Sequence, residues 1–104
     1  MSRTFLVPTT IPDVDAKAEQ DLQTVENPFS QFDEKRGFRA ARNKLVKLML
    51  AWAHDPFNES KLKKLCVAVN KDTYGASDTA SREQLAYWAG RLYKPLDEKL
   101  WKAL

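Results

Sequence analysis

Residues 33–53, DEKRGFRAARNKLVKLMLAWA, decide the reading of this chain. The first half carries Lys35, Arg36, Arg39, Arg42 and Lys44, and the second, Leu45 to Ala53, is apolar except for Lys47. Phe38, Ala41, Leu45, Leu48 and Trp52 recur at i, i+3, i+7, i+10 and i+14, the spacing of one continuous helical face. Val46, Leu50 and Ala53 fall off that face. The C-terminal half therefore needs cover on more than one side, as a central helix does. Gly37 costs about 1 kcal/mol against Ala inside a helix, which sets the start near residue 38. Pro56 disfavours helical geometry at Asp55 and closes the segment.

Toward the N-terminus, Val14, Ala18, Leu22 and Val25 have helical spacing, and Asp13 and Asp15 suit a helix N-terminus. The stripe is thin, which predicts a short helix over 13–25 lying on the surface. Asn27-Pro28 ends it, and Phe29 and Phe32 offer two apolar anchors before the main helix. Residues 1–12, MSRTFLVPTTIP, read as an extended arm, because Pro8 and Pro12 push Val7 and Ile11 toward extended geometry.

Toward the C-terminus, Asp55-Pro56 has the chemistry of a helix opening, Asp as N-cap and Pro at the first helical position. Leu62, Leu65, Cys66 and Val69 form the buried stripe of that helix, with Lys61, Lys63, Lys64 and Lys71 outside it. Residues 70–79, NKDTYGASDT, read as a turn-rich loop. Asp78, Thr79 or Ser81 then caps a third long helix, Ser81 and Gln84 having capping-box spacing. Leu85, Trp88, Ala89 and Leu92 supply its face. Pro95 breaks it and begins a last helix with Leu96, Leu100, Trp101 and Leu104 as its apolar set. Alternating β-branched runs and hairpin turns are missing. The expectation is an all-α fold: a small helical bundle of three main helices, a short C-terminal helix and an N-terminal acidic arm. Residues 1–32 would form the arm with its short acidic helix, and residues 33–104 a single helical domain.

With 104 residues, 43% hydrophobic and 30% charged, the chain fits one globular domain rather than a disordered segment. Its longest apolar run, Leu48 to Ala53, is six residues, against roughly 18 for a bilayer span. Phe5-Leu6-Val7 is stopped by Pro8 and makes no signal-peptide core. The single cysteine, Cys66, excludes an intrachain disulfide framework. A cytoplasmic location and no membrane partner are the expectations.

The net charge of +3 conceals a strong asymmetry. Residues 13–34 hold seven acidic side chains and one basic; residues 35–71 hold ten basic and two acidic. Such a division suggests either an electrostatic partner for the basic block or an acidic arm folded onto it.

Catalytic and cofactor signatures are missing from the sequence. His54 and Cys66 are the sole members of their types, so one chain cannot assemble a structural zinc site from them. Cys66 sits on an apolar stripe, the position of a buried structural thiol. Gly37, Gly75 and Gly90 lie at no phosphate-loop spacing. A non-enzymatic binding protein without cofactor is expected. Lys35, Arg39 and Arg42 share one side of the main helix, with Arg36 and Lys44 on the same basic half, and Lys63 and Lys64 add charge from the next helix. These seven are the candidate contacts to nucleic acid, through phosphates and without reading bases. A helix-turn-helix is not supported, since the loop before the third long helix is far longer than the 3–4 residues of that motif. The partner would be nucleic acid or a complex that handles it. The alternative is a protein-binding inhibitor or adaptor using the acidic arm, with its anchors Phe29 and Phe32, and an aromatic C-terminal surface of Tyr87, Arg91, Tyr93 and Trp101. Homodimerisation through the aromatic face fits either reading.

Overall fold

A computed structural model of the chain describes residues 13–25, 28–29 and 38–104. The extended arm 1–12, Phe32, Lys35, Arg36 and the side chain of Phe38 lie outside the described residues. Those described form five helices and no strand: α1 (Ala16–Thr24), α2 (Phe38–Ala53), α3 (Glu59–Asn70), α4 (Thr79–Leu92) and α5 (Leu96–Ala103). None is long and apolar enough to cross a membrane.

α2 is lined with core residues on a broad arc. Leu45, Val46, Met49, Trp52 and Ala53 are all buried, while Ala41, Leu48 and Leu50 pack against the cluster from its margin. Cover on more than one side is thus observed, with the buried arc turned toward Val46 and Ala53 and away from Leu48.

α1 begins at Ala16 rather than Asp13, and Asp15, one of the two acids that suit a helix N-terminus, is its N-cap. The Asp15 carboxylate accepts the backbone N–H groups of Lys17 and Ala18 at 2.9 and 3.1 Å, which satisfies two of the unpaired donors at a helix start. The thin stripe is fully used: Ala18 is 1% exposed and Leu22 0%. The helix expected on the surface is therefore a wall of the core, packed between α2 and α4. The backbone N–H of Asp15 also donates to the carbonyl of Leu92 at 3.0 Å, fixing the chain to the end of α4.

The opening of α3 differs from the expectation. Asp55 and Pro56 form a turn, and Asn58 is the N-cap, its side-chain oxygen accepting the Ser60 N–H at 3.0 Å. The Asp55 carboxylate is engaged elsewhere, with the Asn58 amide at 3.2 Å and Lys61 at 3.2 Å. At the other end, the Thr73 N–H reaches the carbonyl of Ala68 and the Asp72 N–H that of Val69, each at 3.0 Å. This is the Schellman arrangement, with Asp72 in the left-handed region at φ 55° where glycine is usual. Gly75, at φ 74°, completes the reversal that brings Tyr74 back against the helices.

α4 is capped by Asp78, whose carboxylate accepts the Ser81 N–H at 2.9 Å. Ser81 is not a cap: it is 0% exposed, and its hydroxyl has no hydrogen-bond partner among the described residues. α4 and α5 then pair as a helical hairpin. A Cβ at Gly90 would stand 2.9 Å from the Asp97 Cβ, so only glycine lets the two backbones come this close.

Candidate nucleic-acid interface

Among the described residues, the carboxylates of α1 do not pair with the basic half of α2. Asp21 pairs with Arg91 of α4 at 3.2 Å and with Lys17 of its own helix at 3.5 Å. Glu19 lies 2.9 Å from Nε2 of His54, at the far end of α2. Among the described residues, the side-chain hydrogen bonds from the basic half of α2 to the α1 segment come from Arg42, and they use backbone. Its guanidinium donates to the carbonyl of Gln23 at 3.3 Å and to that of Val25. These are unpaired acceptors at the C-terminus of α1, where a cation also meets the negative end of the helix dipole. A further Arg42 nitrogen donates to Asn43 Oδ1 at 2.6 Å. Arg42, expected as a phosphate contact, is thus half-buried and committed to the fold.

Six further cations of this region are unpaired among the described residues. Arg39, Lys44 and Lys47 on α2 and Lys63 and Lys64 on α3 are exposed, as is Lys71 just after α3. None forms an ion pair or side-chain hydrogen bond with a described residue. By contrast, Lys17, Lys61, Arg91, Lys99 and Lys102 all have carboxylate partners. α2 and α3 pack directly on each other, so the free cations belong to one pair of helices. Lys47 and Lys71 extend the set foreseen from sequence. Their signal was present, because both fall outside the apolar stripes.

An open groove of about 540 Å³ lies on this helix pair. Leu48 of α2, Val67 and Ala68 of α3, and Tyr74 of the following loop form its apolar lining, with Lys63 and Lys64 beside them. Val67 is 40% exposed. One hint of the groove was legible beforehand: Val67 is an apolar residue off the Leu62–Val69 stripe.

The aromatic candidates separate into two groups. Phe29 is 0% exposed and part of the core, which removes it from any contact surface. Tyr93 is half-buried against the same core. Tyr87 and Trp101 are exposed, at 52% and 44%. Arg91, held by Asp21, places its guanidinium 4.9 Å from the Trp88 ring centroid and 6.0 Å from that of Tyr87. That arginine is therefore partly committed to the fold.

Cys66 is 8% exposed. Burial pushes its thiol up from the ordinary cysteine range, and the Arg82 charge offsets this in part. The nucleophilic thiolate is correspondingly disfavoured. Among the described residues no group of His, Cys, Asp and Glu could hold a metal ion.

Comparison with protein-family models, with curated proteins and with solved structures finds no match. The functional reading rests on the site itself.

Proposed function

We propose that the chain is a small non-enzymatic binding protein whose basic α2–α3 surface engages the phosphates of a nucleic acid without reading its bases. It would act on nucleic acid directly or within a complex that handles it. The observation that carries this reading is the concentration of unpaired cations on one helix pair: Arg39, Lys44, Lys47, Lys63, Lys64 and Lys71 have no carboxylate within ion-pair distance among the described residues, and beyond that pair Lys94 is likewise unpaired. Like charges left together on one helix pair repel one another and add nothing to folding, whereas a polyanion releases counterions on meeting them. In the finer architecture, the long helices α2, α3 and α4 serve as the bundle and α5 as its extension.

The test is a titration of the full chain with a generic duplex and a single strand across a salt series. Log affinity should fall linearly with log salt, by about 0.9 per phosphate neutralised on duplex. Replacing Lys44, Lys47, Lys63 and Lys64 by Ala should flatten that slope with the helical circular dichroism unchanged. Undetectable binding at low salt, or binding indifferent to salt, overturns the reading.

A second reading, a protein-binding adaptor or inhibitor, draws on the exposure of Tyr87 and Trp101. Removing residues 1–32 cannot discriminate the two, since it would delete the core residues Ala18, Leu22 and Phe29. The double variant Tyr87→Ala, Trp101→Ala can: it should leave nucleic-acid binding intact and abolish capture of a protein partner.

A further inference from the structure

We infer that the basic surface is built for single-stranded nucleic acid, with an unstacked base seated in the groove between Leu48, Val67, Ala68 and Tyr74. The inference rests on the reading of that surface as a phosphate-binding face and specifies which nucleic acid it takes.

Three observations meet here. The groove floor is apolar and carries an aromatic ring, Tyr74. Two unpaired cations line it, and two more are a helical turn from lining residues. Lys63 and Lys64 line it directly; Lys44 is one turn before Leu48 on α2, and Lys71 one turn after Val67. No carboxylate lines the groove among the described residues.

Each class of polyanion would meet this arrangement differently. A duplex shows phosphates on its outside and keeps its bases stacked within. Laid across the lysines it would bridge the groove and leave Val67 and Tyr74 in water. A single strand turns its bases out, so one strand can satisfy the lysines with phosphates and the floor with a base. Apolar and aromatic platforms beside a basic track are the general device for binding single strands without sequence preference. The groove beneath Trp101 lacks this character, because Asp97 and Glu98 line it together with Lys94 and Lys102.

The test compares labelled oligo-dT, oligo-U and a mixed-sequence duplex of equal length, by fluorescence anisotropy with the full chain at one ionic strength. One or both single strands should bind about tenfold or more tightly than the duplex, the scale of one stacked base. Tyr74→Ala should erase that advantage and leave duplex affinity in place, while Tyr74→Phe retains it. Tyr74 also packs on the core, so Val67→Ser, at an exposed position, provides the same readout if Tyr74→Ala unfolds. Equal affinity for strand and duplex, both weakened by salt, overturns this inference and leaves the phosphate-binding reading standing. Binding to neither overturns both. Preference for a labelled peptide of alternating Glu and Leu over all the oligonucleotides also overturns it, and makes the groove a site for an acidic protein segment.

Discussion

Along α1, charge is tied into the fold. Arg42 holds the carbonyls of Gln23 and Val25, Arg91 is clasped by Asp21, and His54 meets Glu19. Across the outer surface of α2 and α3, Arg39, Lys44, Lys47, Lys63, Lys64 and Lys71 stand without a partner among the described residues. Both sets come from the same chain, and α2 contributes to each. The difference shows that a basic residue on a helix has no fixed meaning. A neighbouring helix end turned Arg42 into a cap, whereas open solvent left Lys44, two positions on, available to a ligand.

The comparison breaks most visibly through the core that supports it. Leu22→Ala should destabilise the protein by about 2–5 kcal/mol, as large-to-small changes at fully buried sites do. Chemical denaturation measures this, and a loss below about 0.5 kcal/mol would mean that α1 is no true wall of the core.

Arg42→Ala is the next largest. Charge-assisted hydrogen bonds from a half-buried guanidinium contribute about 1–2 kcal/mol, so the free energy of unfolding should drop by that amount. The salt dependence of nucleic-acid binding should stay as it is. A flattened salt slope with unchanged stability would instead return Arg42 to the interface.

Asp21→Asn should cost only about 0.2–1 kcal/mol, because both of its ion pairs are about one-third or more exposed. The cost should shrink in high salt. Smallest of all, Lys44→Ala, Lys63→Ala and Lys64→Ala should each change stability by no more than about 0.5 kcal/mol in either direction. Thermal melts check this. A larger loss would show that these lysines hold the fold together and are not free for a partner.

Much of the architecture was legible because it depends on local chemistry. The periodicity of Leu45 to Trp52, the cap at Asp78 and the break at Pro95 are all short-range signals. The opening of α3 misled because Asp55-Pro56 has the right residue types; Asn58 has them too, and the turn at Asp55 had already engaged that carboxylate. α1 looked superficial since a stripe of small and medium residues says nothing about whether both neighbours close over it. At the site, Lys63 and Lys64 were legible as residues outside a stripe. Arg42 was not, because the C-terminus of α1 reaches it only in three dimensions. The groove was equally hidden, since Tyr74 belongs to a loop and enters only through the left-handed turn at Asp72.

The tie between α1 and α4 bears on the order in which the molecule assembles. Gly90 and Asp97 are near neighbours along the chain, so the α4–α5 hairpin closes a short loop. Asp21 and Arg91 are 70 residues apart, and contacts of such separation form late because chain entropy must be lost before they can reward it. By this argument α1 is expected to dock on α4 late and to leave it early. Native-state hydrogen exchange should find its amides opening at a lower free energy than those of α4. Uniform protection of the two would show a single cooperative unit instead.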